Sequence, residues 1–524
     1  MNTLKVVYIL KSFVVFFVFM RRTTTTLGFS PSSMRNVNSG SGTRRNLILA
    51  SSSNHNNDCL SVAIIGGGVA GLSCARHLQL HSNGKLEPTV FDTGRLRPGG
   101  RCSSRLPNDK PANSKSNQDS ILSNLIIDHT AQILTSPSTE NEHWCRQIQE
   151  WKLHGTIQNY PPNSVVQIKK NQKEDSTDYF IQSCDTTHMY YGTNGMASIP
   201  LSLTNPPPTS TTTDNDNGEV LFPVYQDVWI SPSNGVKYGK EDGKWLVQTN
   251  GKKFGKFDAL VIAHNGKCAD RLMSKTPAKA LHSLLVTDFR PKVPAWGGNR
   301  MTLNSIYSLT FAIPSQKSPC FDQLNQALHS TATVQNENIV ICAFLQNHPN
   351  LRMITNQTNK YKQNQTKSSN EKYVVYTLLS SANFGKKYKG PQENLPSETV
   401  EKVSQLLYKS LEESLNLSDG IVSSSVVDSR LQLWGAAVPI NTYDDNDNNG
   451  FVYDSKYNAG ACGDWLLDSS IYGAWESGRR LAHHMIQNNK NEISVGLPKF
   501  NSDTKRFKSK FRVNNHSGIG NIQS

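Results

Sequence analysis

Gly66, Gly68 and Gly71, in the run Gly66-Gly67-Gly68-Val69-Ala70-Gly71, have the spacing of a turn that holds a pyrophosphate. Gly66 permits the tight turn, Gly68 lets the backbone approach the phosphates, and Gly71 lets a following helix pack closely on the preceding strand. Val69 and Ala70 fall in the first turn of that helix, where unpaired N–H groups and the positive end of the dipole face an anion. Asp92, 21 residues beyond Gly71, is placed to accept hydrogen bonds from a ribose diol, with Thr93 beside it. Gly99-Gly100-Arg101 comes next. Its glycine pair lets a loop pass close to a bound dinucleotide, and Arg101 supplies positive charge for the pyrophosphate.

The elements needed to position these residues are present in the right order. Val62-Ala63-Ile64-Ile65 has the length and β-branched content of a buried parallel strand, Leu72 to Leu80 reads as a helix, and Pro88 to Phe91 reads as a second strand ending on the acid. A nicotinamide dehydrogenase normally enters its next helix directly after that acid. With the Gly-Gly-Arg element in its place, the sequence resembles the flavin amine-oxidase superfamily, and the resemblance implies FAD as the cofactor.

A second segment carries the same resemblance. Gly460-Ala461-Cys462-Gly463-Asp464-Trp465, followed by Gly473-Ala474-Trp475-Glu476-Ser477-Gly478, is similar to the superfamily's Gly-Asp and Gly-Ala-x-x-Ser-Gly pair. The resemblance implies that Gly463 lets the backbone approach the ribityl chain. It also implies that Asp464 accepts from a ribityl hydroxyl or binds a phosphate-bound water. A helix beginning near Gly473 and Ala474 would point its positive end at the flavin pyrimidine, stabilising negative charge on the reduced ring. The flavin-linking cysteine of monoamine oxidases lies well upstream of this motif, so Cys462 reads as a small strand residue and the FAD as non-covalent.

Weaker signals lie between. Asp128-His129-Thr130-Ala131-Gln132, Gly195-Met196-Ala197-Ser198-Ile199-Pro200 and Trp434-Gly435-Ala436-Ala437-Val438-Pro439 resemble segments of renalase-like flavoproteins, although Thr130 replaces a glycine of that pattern. Val224 to Ile230, Trp245 to Thr249 and Phe254 to Ala263 read as a strand meander, in which Val228 matches a valine set against the adenine through its backbone. Phe257 to Ala263 is a return strand, followed by His264-Asn265-Gly266 where the resembled pattern often has Ala-x-Pro. No metal-ligating cluster is present. No side-chain nucleophile or base is required where a flavin carries the chemistry, so His129, Gln132 and Trp434 stand only as candidates beside the reacting groups.

Composition excludes other classes. The net charge of +14 suggests nucleic acid, but residues 1–57 carry +7 and residues 487–524 carry +5, leaving +2 for the rest, so nucleic-acid binding is not expected. Nine scattered cysteines without a CxxC pair indicate a reducing compartment. Val6 to Met20 is apolar but interrupted by Lys11, too short for a membrane span. The acid-free, Ser/Thr/Arg-rich N-terminus suits a plastid transit peptide, with mitochondrial, secretory or membrane-anchored placement as alternatives.

The expected fold is α/β: a discontinuous Rossmann-like, three-layer FAD-binding domain (58–135, 219–272, 450–486) with an inserted α+β antiparallel-sheet substrate domain (136–218, 273–440). Residues 1–57 read as a targeting segment, 206–217 and Asn356 to Glu371 as polar insertions, and 487–524 as a disordered basic tail. The implied reaction is hydride transfer from a small amine or dihydronicotinamide-like substrate, NAD(P)H included, to flavin, with reoxidation by oxygen to peroxide. Desaturation or isomerisation of an isoprenoid, and non-catalytic redox sensing, are the alternatives. The substrate domain carries no motif that identifies the substrate.

Overall fold

The run Val62 to Ile65 is at most 5% exposed and forms the end of strand β1 (Leu60–Ile65), inside a six-stranded sheet. A computed structural model of the chain describes residues 59–107, 109, 120–137, 141–170, 179–206, 220–329, 339–364, 372–392, 394–488 and 493–514. The targeting segment 1–57 and residues 207–217 of the first polar insertion lie outside them. Helix α1 (Val69–His81) leads from β1 to strand β2 (Leu86–Phe91), which lies parallel beside β1 with Phe91 opposite Ile65.

On the other side of β1 comes Ala259–Ile262, also parallel, then Ala459–Ala461, with antiparallel Val452–Asp454 closing that edge. The chain leaves β1 toward one side and returns on the other, so the carboxyl end of β1 is the switch point where such a sheet opens a crevice. Well-separated stretches of sequence build this sheet, as the expected discontinuous Rossmann-like domain requires.

Strand alternation divides the core around the sheet. Val62 and Ile64 face α1 and the helix Ile471–Gln487. Ala63 and Ile65 face a three-stranded meander (Val236–Tyr238, Trp245–Gln248, Lys253–Phe257) and two short helices. The two helices on the first face meet through glycine: a Cβ on Gly478 would stand 2.1 Å from the Ala70 carbonyl oxygen, and Ser73 donates to the Trp475 carbonyl at 2.7 Å.

A second, seven-stranded sheet runs in the order Asp428–Trp434, Ile306–Pro314, Tyr373–Ser380, Leu351–Asn356, Cys342–Leu345, Val165–Lys170, Tyr179–Ser183. Its pairings are antiparallel except that between Cys342–Leu345 and Val165–Lys170. One face buries Leu309, Phe311 and Leu433 beneath the helix Ser397–Ser414, whose Val403, Leu407 and Leu411 recur at helical spacing. The other face turns toward the Rossmann-like domain.

Three expectations are corrected. Val224 to Ile230 is not the first strand of the meander: only Val224–Tyr225 is extended, pairing with β2, because Asp227 turns the chain at a φ of +55°. The polar stretch 356–371 is folded over its first part, where Lys360 is buried in a short helix. The tail is folded over 493–514. Phe511–Val513 pairs with Asn441–Tyr443, and Phe511 is fully buried because Gly297 lets the two backbones touch.

The Gly478 contact gives a direct test. Gly478→Ala pushes a methyl group into the Ala70 carbonyl and should lower stability by about 1–3 kcal/mol. A denaturant midpoint equal to that of the native protein would show that the helices separate without strain.

Candidate functional site

Gly66 turns the chain off β1 at a φ of +118°, and a Cβ there would lie 2.9 Å from the Ala263 carbonyl carbon. Its glycine is therefore fixed twice, by backbone conformation and by the neighbouring return strand. Gly71 is fixed by space, since a Cβ would sit 2.0 Å from the Gly66 carbonyl oxygen. Gly68 differs: nothing lies within 4 Å of the position its Cβ would take, so the backbone is bare toward open space where α1 begins. The first turn of α1 carries no acid and no side-chain cap, which leaves its N-terminal N–H groups to a ligand.

Asp92 serves this turn directly. Its carboxylate accepts from the Gly67 N–H at 3.0 Å and the Gly94 N–H at 3.1 Å while 7% exposed. Burial raises its pKa, against the pull of those N–H groups. Gly67 is required for that contact, since a Cβ there would lie 2.7 Å from the Asp92 Cβ. The spacing of Gly66, Gly68 and Gly71 gave no role to this fourth glycine.

The Gly-Gly-Arg loop lies over the same turn. Gly99 (φ +155°) and Gly100 (φ +55°) are both left-handed, and a Cβ on Gly100 would be 3.5 Å from the Gly68 Cα. Pro200, from the short helix Ser198–Ser202, backs Gly99 from outside the cavity. Arg101 then reaches the closing motif, where its guanidinium pairs with Asp464 at 2.7 Å, the carboxylate side chain being 4% exposed. Two segments far apart in sequence thus meet in one ion pair.

Both segments line one cavity of about 300 Å³. Of the residues singled out from sequence, Gly66, Gly68, Val69, Ala70, Asp92, Thr93, Gly99, Gly100, Arg101, Trp434, Gly463, Asp464 and Ala474 lie on its wall. Cys462 does too, at a strand end where its N–H donates to the Ile262 carbonyl at 3.2 Å. A larger, shallower groove beside the helix Ser397–Ser414 has none of these groups.

Other expected residues lie elsewhere. Gly71 and Gly473 act behind the wall; a Cβ on Gly473 would meet the Asp468 carbonyl oxygen at 1.9 Å. The closing helix begins at Ile471, two residues before Gly473, because Ser470 is its cap and accepts from the Gly473 N–H at 2.9 Å. Val228 is absent from the wall, its N–H being taken by the Asp92 carbonyl at 2.9 Å.

His129 and Gln132 are also absent, and Ala131 and Ile133 face the cavity instead. Gln132 points into a buried network. Lys360 donates to Asp128 and to the Gln132 carbonyl, both at 2.7 Å, and Gln357 donates to the Gln132 side chain at 2.9 Å. Burial depresses the Lys360 pKa, and Asp128 opposes that shift. Burial pushes the His129 imidazole down to about 4, and the charge of Arg430 adds to the effect.

Sequence reasoning assigned no role to His264, Asn265, Gln392, Ser469 or Ser470, all of which face the cavity. His264 is held by the Ile65 carbonyl at 3.0 Å, at the point where the return strand departs from the resembled pattern. Ser470 did carry a signal, as a serine immediately before an apolar helix. Gln392 carried none. Among the described residues no group of three or more His, Cys, Asp or Glu is arranged to hold a metal, and no helix is long and apolar enough to cross a membrane.

The His129 shift predicts an acid limb. A partly buried imidazole whose pKa falls from 6.5 to about 4 on folding takes its proton first in the unfolded chain, so stability is full above the unfolded value and declines as the pH drops toward 4. His129→Gln should lose less stability than the native protein between pH 7 and 4. Equal losses by chemical denaturation would place the cause at other histidines.

Residues 64–150 match a family model described as an NAD(P)-binding Rossmann-like domain. No curated protein matches the sequence. Solved structures similar to the chain include wild-type putrescine oxidase bound to putrescine, at 9% identity and a TM-score of 0.45, covering 82% of this chain and 99% of that one. Reduced UDP-galactopyranose mutase is similar at 9% identity and a TM-score of 0.46, covering 82% of this chain and 94% of that one. The chain is a mixed α/β protein containing a Rossmann-like domain.

Proposed function

We propose that the chain is an FAD-dependent oxidoreductase of the amine-oxidase and renalase type. In this reading it takes a hydride from a small amine or dihydronicotinamide-like substrate, with oxygen as electron acceptor and a plastid as its compartment. The observation that carries the reading is the Arg101–Asp464 pair. It joins the pyrophosphate-binding turn and the Gly-Asp motif on one cavity wall, beside a Gly68 backbone left bare.

When bound, FAD supplies the redox chemistry, namely acceptance of a hydride and its delivery to oxygen, which with a proton gives peroxide. The chain's residues do the rest. The N-terminal N–H groups of α1 hold the diphosphate, Arg101 neutralises it, and Asp464 keeps Arg101 oriented toward the cavity. The closing helix begins at the cavity wall at Ile471, with no acid in its first turn, so its positive end favours negative charge at the ring end of the ligand. Ala131, Ile133 and Trp434 form an apolar wall that excludes water from the substrate side. No acid or base among them is needed to move a proton. The FAD is non-covalent in this reading.

Purified protein should be yellow, with a visible flavin spectrum that bleaches anaerobically on adding the right reductant; amines, reduced nicotinamides and their isomers are the compounds to try. A folded preparation that stays colourless when offered FAD overturns the reading. Gly68→Val fills the bare space over the turn and should yield folded, colourless protein; full FAD content would remove Gly68 from the cradle. Asp464→Ala leaves Arg101 without its partner and should weaken FAD by about 1.5–3 kcal/mol, roughly ten- to a hundredfold. Unchanged affinity in a flavin titration would exclude Asp464 from the site.

A further inference from the structure

We propose that the hairpin formed by Lys499–Asn501 and Arg506–Lys508 is a docking surface for an anionic lipid membrane. Phe500 stands opposite Phe507, the rings are 5.2 Å apart, and Phe500 is 59% exposed. Lys499 stands opposite Lys508 on the other face, and Lys505 and Arg506 extend from the turn into solvent. Between 499 and 508 the only acid is Asp503, and among the described residues none of these four cations is in an ion pair.

Water does not account for this arrangement. Two lysines directly across a strand pair repel, a two-stranded hairpin is marginal in water, and the exposed Phe500 ring forgoes apolar burial. An anionic bilayer surface relieves all three. The rings enter the boundary between headgroups and acyl chains, while the long Lys and Arg stems carry their charges to the lipid phosphates.

The hairpin is also anchored to the body. Phe511 follows it, fully buried, and donates to the Gly298 carbonyl at 2.8 Å, while Lys510 pairs with Asp444 at 2.9 Å. Trp296, 56% exposed, stands next to the Gly297 that receives Phe511, and is of the residue type favoured at membrane interfaces. A single-stranded nucleic acid suits the patch less well. The two rings meet edge to face at 67°, presenting an apolar wedge rather than an open stacking platform.

The test is cosedimentation of the full-length protein with vesicles of phosphatidylcholine alone and of an equimolar mixture with phosphatidylglycerol. Binding is expected only to the anionic vesicles, weakening as salt rises. The triple variant Lys505→Glu, Arg506→Glu, Lys508→Glu should bind them at least roughly a hundredfold more weakly. Phe500→Ser should bind more weakly at every salt concentration. All of these side chains lie outside the cavity, so thermal unfolding and visible spectrum should match the native protein, and the result does not depend on whether the chain holds a flavin. Absence of binding to anionic vesicles, equal binding by the triple variant, or binding to single-stranded RNA in place of vesicles would overturn the proposal.

Discussion

The ion pair between Arg101 and Asp464 is the constraint on which the site depends. Each side chain belongs to a different end of the sequence, and each is largely withdrawn from water. A buried charge without its partner is costly, so neither can be moved while the other stays. Asp464 follows a strand that hydrogen-bonds to Ala259–Ile262, which in turn pairs with β1. Arg101 follows β2 by way of two left-handed glycines. The sheet register and the loop conformation therefore converge on one point, and the pair fixes the distance between the glycine turn and the Gly-Asp segment.

Asp92 shows how the same turn is held from the other side. Read from spacing alone, its carboxylate is a ribose acceptor. In the fold, one oxygen is already bound to the Gly67 N–H and the other to the Gly94 N–H. A carboxylate oxygen has a second lone pair, so the acid can brace the glycine turn and still accept from a ligand along the cavity wall it lines. The brace explains why Gly67 must lack a side chain, and it ties the end of β2 to the start of α1.

What was legible in the sequence was what neighbouring residues decide. The strand Val62–Ile65, the turn, α1 and the return strand Ala259–Ile262 follow from local periodicity and glycine placement, and the Gly-Asp motif was readable for the same reason. What failed depended on partners far away. Lys360 sits in a stretch rich in Asn, Gln and Lys and looks solvated, yet it is buried because Asp128, 232 residues earlier, supplies a countercharge. The C-terminal segment has a disordered composition, but Phe511 finds a socket at Gly297 that no local pattern announces. His129 and Gln132 were chosen by motif position. Alternation along Ala131, Gln132 and Ile133 sends the glutamine into the network and the two apolar side chains to the cavity.

That alternation recurs in the second sheet. Along Asp428–Trp434, Leu433 enters the helix-covered core while Trp434 faces the cavity. The Trp434 indole N–H has no hydrogen-bond partner among the described residues, and an unpaired buried donor is unfavourable unless something accepts from it or the strand holds it in place. Gln392 stands beside it, its side-chain oxygen already used by the Gly435 N–H at 3.0 Å. This side of the cavity therefore combines apolar surface from Ala131, Ile133 and Ala436 with the Trp434 indole and the tethered Gln392 amide. In the proposed reading such a wall would select by shape and by the position of an acceptor, and the opposite wall, with Arg101 and the helix termini, would select for phosphate. The difference follows from sheet geometry: one sheet brings the ends of its parallel strands to the cavity, and the other brings Trp434 from the end of a single strand.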